Sequence, residues 1–387
     1  MVDRRVPLDL IIEILVWLPA KSALRFKCVC KDWYNLINSP LFAKLHLNKS
    51  LISDSQHNRI FVCTDTHSIS ISIVDDMYNP LKWIQLNWPK GTLLYPDTKH
   101  PVGFCNGLIL VKVSQMIIGT SGNRDYMDRC FLICNPTTRT FKSILPCSER
   151  KWTDFSFLSY GFGYDIEHDD YKIVVTKFVF GEDDRPVCIY SLKTGLWSWT
   201  DLPTSVSIGR CNWIIKSEAI YVNNMLYYLV SLLTLGPIKE YKIIRFDVVY
   251  EKWRDNLSLP VKVNGDVDVG VGELDGRLYL HVVEYGVESS DIWMMEEYGS
   301  WNKMFHLPKV FQLHHLIACS KDGRQHLLLQ DYNGHGDVLQ WYDQQNNKRI
   351  PLKLKPPPKD RSAIMLSIAS LIPIPGCSLT KLQEMKN

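Results

Sequence analysis

Three histidine-containing clusters hold the residue types that could perform catalysis or bind a metal in this 387-residue sequence. They are His168-Asp169-Asp170, His314-His315 and Asn333-Gly334-His335-Gly336. A histidine beside a carboxylate can move protons, and paired histidines can bind zinc if further ligands stand at a suitable spacing. No third ligand stands at such a spacing from His314-His315, and no Gly-rich phosphate loop, nucleophile elbow or paired-carboxylate motif occurs. The sequence therefore predicts no catalytic residue, metal site or cofactor, although an active site assembled from distant loops would leave no such pattern.

Cysteine usage and charge narrow the class of protein further. The eleven cysteines are scattered, and none forms a Cys-x-x-Cys pair. An odd count without a framework spacing is typical of reduced, buried thiols, which predicts a cytoplasmic protein, with the nucleus as a second compartment. The net charge is +3 and no basic block occurs, so no nucleic-acid partner is expected. The longest purely apolar run is too short to span a bilayer, so no membrane association is expected either.

The chain begins with a short apolar helix that cannot bury all of its own surface. Between Pro7 and Pro19 only Asp9 and Glu13 are polar, and they share one helix face. The exposed remainder predicts a partner site. A signal peptide is an alternative, but Glu13 and the very short polar lead argue against it. An ordinary amphipathic core helix would explain the apolar residues, but not the Val29-Cys30-Lys31-Asp32-Trp33 ending.

That ending and its spacing closely resemble the F-box. The matching positions are Val6-Pro7, Ile11, Ile14, Leu15, Leu18-Pro19, Leu24, Phe26 and 29–33, with Val6 where the family usually has leucine. The resemblance implies an F-box at residues 1–45 that docks a Skp-type adaptor and, through it, cullin and RING subunits of a ubiquitin ligase. The residues expected to bind the adaptor are Pro7, Leu8, Ile11, Ile14, Leu15, Leu18, Pro19, Leu24, Phe26 and Val29.

The rest of the chain is a series of repeats that end in proline. The prolines stand at positions 89, 146, 203, 260, 308 and 351, which are 57, 57, 57, 48 and 43 residues apart. Each unit holds about four short apolar runs, and the turns Asn106-Gly107, Asn223-Asn224 and Asp275-Gly276 suit two-residue hairpins. This pattern predicts an all-β propeller of about six four-stranded blades behind a small all-α F-box.

The first repeat is one strand short, and an apolar run at 363–371 could supply the missing strand. We predict that this run closes the ring, with a C-terminal amphipathic helix as the alternative. The phrases Cys105-Asn106-Gly107-Leu108, Asn135-Pro136-Thr137-Thr138, 160–165 and 170–174 resemble the kelch-like F-box-associated domain of plant F-box proteins. The predicted organisation is thus an F-box at 1–45, a linker at 46–58, the propeller at 59–375 and a tail at 376–387. In that family the His168 cluster falls in a short turn.

Long loops on one propeller face are predicted to bind a protein substrate. The second-to-third loops of the six repeats are expected at 65–67, 114–129, 179–186, 231–241, 284–291 and 331–337. These loops carry a net charge of −8, and the blade connectors carry +7. The candidate residues are Arg124, Asp125, Glu182, Asp183, Asp184, Glu284, Glu288, Asp331 and Asp337. The acidic cluster 182–184 would suit a basic partner, but acidic clusters of this kind are more often solvated loop tips, which is the alternative. The nearest resemblance among plant F-box propellers is the S-locus type, which implies a basic S-ribonuclease substrate in self-incompatibility. A carbohydrate-binding or enzymatic propeller without a ligase role is the alternative function.

Overall fold

Proline and polar caps divide the N-terminal region into four helices in this computed structural model. The helices are α1 (Leu8–Val16), α2 (Ala20–Phe26), α3 (Lys31–Asn38) and α4 (Pro40–Ile52). Pro7 and Pro19 stand at the N-caps of α1 and α2, where a missing N–H leaves no backbone bond unmade. Cys30 caps α3, since its Sγ accepts from the N–H of Trp33 at 3.5 Å. Ser39 Oγ accepts from the N–H of Phe42 and so caps α4.

The structure describes most of the chain in seventeen segments. They are residues 6–52, 59–64, 69–73, 84–86, 97–118, 124–147, 158–177, 187–200, 213–215, 217–232, 240–261, 267–284, 289–308, 313–319, 326–332, 337–351 and 363–377. These residues fall into two compact units, which are described separately. The first comprises Met1–Met116, Asp128–Leu145 and Lys353–Asn387, and the second comprises Ile117–Met127 and Pro146–Leu352.

The four helices enclose a small core of their own, to which we refer as the core of the helical module (residues 6–52). Its buried side chains are Leu15, Ala20, Ala23, Ile37, Phe42, Ala43 and Leu47. Helix α4 runs through Ile52 and therefore enters the segment 46–58 that was predicted to be a linker. The physical reason is packing, because His46, Leu47 and Ser50 are buried and hold this part of α4 to the module.

The first unit also contains two four-stranded antiparallel sheets. One has the order β25-β1-β2-β3 and the other β4-β5-β6-β7. Their strands are β1 (Arg59–Thr64), β2 (Ile69–Ile73), β3 (Ile84–Leu86), β4 (Asp97–Cys105), β5 (Leu108–Ile118), β6 (Arg124–Asn135), β7 (Thr140–Ile144) and β25 (Ala363–Ile368). The run at 363–371 thus forms a strand, which pairs antiparallel with β1 from Arg59↔Ile368 to Thr64↔Ala363. The alternative of a C-terminal helix is excluded over residues 363–368.

The second unit contains four further antiparallel sheets. Their orders are β11-β10-β9-β8, β12-β14-β15-β16 with β13 beside β14, β17-β18-β19-β20, and β21-β22-β23-β24. The strands are β8 (Leu158–Asp165), β9 (Asp170–Lys177), β10 (Val187–Ser191), β11 (Trp197–Thr200), β12 (Trp213–Ile215), β13 (Ile220–Val222), β14 (Met225–Leu232), β15 (Tyr241–Asp247), β16 (Lys252–Leu257), β17 (Val267–Leu274), β18 (Arg277–Glu284), β19 (Ser289–Glu297), β20 (Ser300–Pro308), β21 (Leu313–Cys319), β22 (His326–Tyr332), β23 (Asp337–Asp343) and β24 (Lys348–Pro351).

The hairpin turns confirm the sequence reading where they are described. Asn106, Asn223, Asn224 and Asp275 have φ between 47° and 64°, and Gly107 and Gly276 have φ of 80° and 76°. Positive φ at both central residues is the requirement of a two-residue type I′ turn. The fourth repeat differs from the predicted four-stranded blade, because two short strands, β12 and β13, pair in succession with β14 and give this sheet five strands.

Candidate functional site

Helix α1 presents an apolar stripe to solvent. Leu10, Ile14 and Trp17 are spaced four and three residues apart, so they share one face, and they are 49%, 59% and 58% exposed. We refer to these three residues as the α1 stripe. Ile14 is one of the residues predicted to bind the adaptor, whereas Leu10 and Trp17 were not predicted to do so. Their spacing from Ile14 was the signal that could have found them. Such a stripe of large side chains on a surface helix is typical of a protein-binding face.

The remaining predicted adaptor-binding residues divide by exposure. Pro7, Leu8, Phe26 and Val29 are exposed, and Ile11, Leu18, Pro19 and Leu24 are half-buried. Leu15 is 1% exposed and lies in the core of the module. A buried side chain stabilises the fold, so any effect of Leu15 on partner binding would act through the folding of the module.

The corner between α2 and α3 is held by specific contacts, which fixes the position of Val29. The rings of Phe26 and Trp33 meet edge to face with centroids 5.7 Å apart. Lys27 Nζ donates to Asn38 Oδ1 at 2.7 Å, and burial lowers the pKa of this ammonium group. The Cys28 thiol donates to the Arg25 carbonyl. Val29 therefore stands exposed on a corner that is tied down on both sides.

His46 fastens α4 to the end of α1. Its Nε2 lies 2.8 Å from the carbonyl oxygen of Leu18, and the ring is fully buried. A carbonyl oxygen can only accept a hydrogen bond, so Nε2 carries the proton and donates to Leu18. Burial lowers the pKa of His46, only partly opposed by the bond to Leu18, so the ring is neutral near pH 7. With the proton on Nε2, the Nδ1 atom has no partner among the described residues.

The His168 cluster forms a turn, as the family resemblance implied. Asp165 Oδ1 accepts from the N–H groups of Glu167 and His168, and Asp169 has a φ of 53°. Asp165 Oδ2 lies 2.8 Å from both His168 Nδ1 and Lys172 Nζ, and Lys172 also contacts Glu251 at 2.8 Å. Burial disfavours the Asp165 carboxylate, but hydrogen bonds from Lys172 and His168 outweigh burial and lower its pKa. This arrangement stabilises the turn between β8 and β9.

The other histidines give no metal site in the described residues. His314 and His315 lie in β21, of which only the backbone is described there, and His335 lies outside the described segments. Across the segments that the structure describes, no group of three or more His, Cys, Asp or Glu side chains could hold a metal ion. Within the same segments no helix is long and apolar enough to cross a membrane. The nine cysteines described there are free thiols.

The predicted substrate-face residues lie where side chains are not described. Glu182, Asp183, Asp184 and Glu288 fall outside the described segments, and Arg124, Asp125, Glu284, Asp331 and Asp337 belong to strands described by their backbone. One boundary of the prediction changes. The expected loop 114–129 is largely strand, because β5 continues through Ile118 and β6 starts at Arg124. Arg124 and Asp125 are therefore strand residues, and the substrate face stays a prediction.

Two of the four phrases that resemble the kelch-like domain, those at 105–108 and 135–138, contact the C-terminal segment 369–377, to which we refer as the C-terminal strap. Asn135 Nδ2 donates to the carbonyls of Ser370 and Ile372 at 3.0 and 2.9 Å, while its Oδ1 accepts from two N–H groups of its own turn. Thr137 Oγ1 accepts from the N–H of Ser370. Gly107 makes room, since a Cβ there would lie 2.6 Å from the Ile368 oxygen.

Comparison with known proteins places these two regions in described families. Residues 4–45 match the F-box domain, and residues 97–352 match the F-box associated beta propeller domain. An F-box/kelch-repeat protein of Arabidopsis thaliana is 30% identical over 312 residues, which cover 78% of this chain and 79% of that protein. The Arabidopsis F-box protein CPR1 is 26% identical over 397 residues and covers 95% of this chain and 88% of its own.

Similarity to solved structures is much weaker. The β-propeller domain of a trilobed protease from Pyrococcus furiosus is 13% identical, with a TM-score of 0.36 over 67% of this chain and 72% of that one. A Dyadobacter fermentans protein is 11% identical, with a TM-score of 0.40 over 66% of this chain and 81% of that one. Likenesses at this level carry no conclusion about the activity of this chain.

Proposed function

This chain belongs to the F-box proteins that carry an F-box associated beta propeller domain, and from that membership we propose that it is the substrate-recognition subunit of a Skp–cullin–F-box ubiquitin ligase. F-box proteins are generally substrate adaptors of such ligases. The observation that carries the proposal is the exposed apolar surface of the helical module, with the α1 stripe at its centre. This surface docks the Skp-type adaptor, which in turn binds the cullin and RING subunits.

In this proposal the chain is a receptor and not an enzyme. Ubiquitin transfer takes place on partner subunits, and this chain contributes by holding a substrate close to them, which raises the effective concentration of the reacting groups. In the turn at 165–170, Asp165 pairs with His168 and Lys172, and Lys172 also pairs with Glu251. These contacts support a structural role for the His168 cluster. The protein acts in the cytoplasm, with the nucleus as a second compartment, and the free thiols support a reducing environment.

The six sheets are proposed to be the six blades of one propeller ring. The pairing of β25 with β1 completes the first sheet with a strand from the far end of the chain, which is how propellers avoid a bare edge. The long loops of this ring bind the substrate. The acidic cluster Glu182-Asp183-Asp184 in one of these loops favours a basic protein, and an S-ribonuclease in self-incompatibility is the specific substrate that we propose.

The experiment is reconstitution of the ligase with the full chain. Purified protein is mixed with a Skp-type adaptor, and the complex is tested by size-exclusion chromatography, then with cullin, RING subunit and ubiquitin for transfer to a basic S-ribonuclease. We expect a stable complex with the adaptor and substrate ubiquitination that depends on this chain. Absence of an adaptor complex would contradict the receptor role. Adaptor binding without any ubiquitination of the S-ribonuclease would contradict only the proposed substrate.

Neutralising the loop cluster tests the charge argument separately. The triple change Glu182→Gln, Asp183→Asn and Asp184→Asn should slow capture of the basic substrate at low salt and reduce the salt dependence of capture, since exposed charges act mainly by screened attraction. Adaptor binding should not change. Unaltered capture at both salt concentrations would show that these acids do not face the substrate.

A further inference from the structure

A second apolar stripe lies on α4, on the face opposite its buried side chains. Leu41, Leu45, Asn48 and Ile52 are spaced four, three and four residues apart and so share one face. Leu41 is 69% exposed and Ile52 is 81% exposed in the full chain. We refer to these four residues as the α4 stripe. Half of this helix already packs into the module through Phe42, His46 and other residues, so the exposed leucines and isoleucine do not serve that core.

A helix that is apolar on both faces is typical of one buried on both sides. Exposure of large aliphatic side chains to water is unfavourable, and proteins rarely expose several of them along one helix face unless a partner covers them. The stripe extends past residue 45, where the match to the F-box domain ends. Leu41 and Leu45 lie inside that match, so the part of the stripe that the family motif does not cover is Asn48 and Ile52.

A residue that borders the α4 stripe contacts the end of the α1 stripe. Lys49 of α4 places its Nζ 3.4 Å from the centroid of the Trp17 ring, which is the last member of the α1 stripe. Lys49 follows Asn48 and lies four residues after Leu45, so it borders the α4 stripe. The contact shows that the border of one stripe reaches the end of the other. A partner seated on the α1 stripe would therefore meet α4 next.

The charge of the module specifies the chemistry of that partner. Residues 6–52 hold six basic residues against three acidic ones. The basic residues are Lys21, Arg25, Lys27, Lys31, Lys44 and Lys49, and the acidic residues are Asp9, Glu13 and Asp32. Lys44 and Lys49 belong to α4 itself. An apolar patch with an acidic border complements this surface.

We propose that the α4 stripe is a second contact site for the Skp-type adaptor, continuous with the α1 stripe and covered by an apolar, acid-bordered patch of that adaptor. This inference rests on the proposed function of the chain as an adaptor-bound receptor. It extends the docking surface beyond the F-box motif to residue 52. In this arrangement the segment 46–52 takes part in binding and is not a spacer between the F-box and the sheets.

The test is the affinity of the full chain for a purified Skp-type adaptor, measured by isothermal titration calorimetry. One variant carries Leu41→Gln, Leu45→Gln and Ile52→Gln, because glutamine keeps helix propensity while removing apolar surface. A second carries Ile14→Gln in the α1 stripe. The matched control carries Leu145→Gln and Leu196→Gln, two leucines of similar exposure in the β-sheet region. The folding of each variant is checked by its melting temperature.

We expect the α4 variant to bind at least ten-fold more weakly, with an unchanged melting temperature, and the control to bind as the unaltered chain does. An α4 variant with unaltered affinity, beside an Ile14→Gln variant that binds weakly, would overturn the inference and leave the proposed function standing. An unaltered chain that binds no adaptor would overturn both. If the triple variant unfolds, Ile52→Gln alone, at the last residue of α4, decides the matter through an expected three-fold loss.

Self-association is measured in parallel by sedimentation velocity. If the unaltered chain forms dimers, the triple variant does not and adaptor affinity is the same for both, the α4 stripe binds a second copy of this chain and the inference is wrong. Salt dependence supplies a further measurement. Raising the salt concentration from about 50 mM to about 200 mM shortens the Debye length and so weakens the attraction between exposed charges. Over this range the adaptor affinity of the variant Lys44→Gln/Lys49→Gln should fall less steeply than that of the unaltered chain.

Discussion

The helical module and the β-sheet region of this chain treat their apolar side chains in opposite ways. In the described residues 6–52, twelve large apolar side chains are exposed, whereas seven are exposed in all the described segments from residue 97 onward. The sheets bury long runs, such as Leu108–Val111 in β5 and 187–190 in β10. The difference shows that the described parts of the sheets bury most of their large apolar side chains within the chain, whereas the helical module leaves an apolar surface of the kind that protein partners cover.

The two regions also differ in how they hold their buried polar side chains. In the sheets, buried charges such as Asp165 and Lys172 engage each other in a network, and turn carboxylates such as Asp247 accept from N–H groups and from Arg254. In the module, one buried histidine, His46, fastens two helices together. Among the described residues, the sheets thus hold buried charges in networks, whereas the module holds its buried histidine through a hydrogen bond to one carbonyl. Changes to single residues should therefore expose the contrast.

The largest expected effect comes from removing the strand and strap that complete the first unit. Ending the chain at Lys359 should abolish soluble folded protein, because β1 would lose its partner β25 and Asn135 would lose the carbonyls that it binds. Ending it after Cys377 should leave the melting temperature unchanged. Expression yield and thermal unfolding measure both. A soluble shorter chain with an unaltered melting temperature would show that the sheets do not depend on the C-terminal segment.

The next effect separates two neighbours in α1. Leu15→Ala should destabilise the module by about 2–5 kcal/mol, as expected for a large-to-small change in a core. Ile14→Ala should change the stability by less than about 0.5 kcal/mol, since its side chain is exposed, and yet weaken adaptor binding. Hydrogen exchange over residues 6–52 measures local stability, and calorimetry measures the affinity. Equal destabilisation by the two changes would contradict the division between core and surface.

Local sequence signals predicted the turns and the helices well. The Asn-Gly and Asp-Gly pairs predicted positive φ at Asn106 and Asp275, because that conformation is a property of the turn itself. Pro7 and Pro19 predicted the starts and ends of helices for the same local reason. The apolar run at 363–371 predicted a strand, and its pairing with β1 followed from the missing strand of the first repeat.

Features that depend on tertiary packing were missed or misjudged. Leu10 and Leu15 are both leucines of α1, yet Leu10 is exposed and Leu15 is buried, because burial depends on which face of α1 meets α4. His46 contacts Leu18, which lies 28 positions away in the sequence, and Asn135 contacts Ile372, which lies 237 positions away. No local sequence pattern indicates such pairs. The loop expected at 114–129 was too long because apolar Ile117 and Ile118 continue β5.

A smaller effect tests how much the strap depends on one side chain. Asn135→Ala should cost about 1–3 kcal/mol, because it leaves buried carbonyls of the strap without donors. The matched control is Asp343→Ala, since Asp343 makes the same turn contacts to Gln345 and Asn346 but lies at a more exposed turn without a strap. Its cost should be nearer the low end. Chemical unfolding of the full chains measures both, and an equal loss would mean that the turn, not the strap, requires Asn135.

The smallest expected effect is a pH dependence that separates the two regions. His46 is the only histidine in residues 6–52, and burial lowers its pKa below the ordinary value of 6.5. The unfolded module therefore binds a proton more readily than the folded one, and its stability should decrease as the pH falls from about 7.5 to 5.5, by at most about 1.4 kcal/mol per pH unit. The sheet carboxylate Asp165 has a pKa below its ordinary value of 3.8, so the stability that it contributes is present above that value and lost only as the pH falls through its folded pKa. Hydrogen exchange at pH 7.5 and 5.5, corrected for the intrinsic exchange rate, should thus show loosening of residues 6–52 and unchanged protection of β8 and β9.

His46→Gln keeps a donor for the Leu18 carbonyl and should remove the difference. Loosening of both regions to the same extent in the unaltered chain, or a dependence that persists in His46→Gln, would show that some other group titrates.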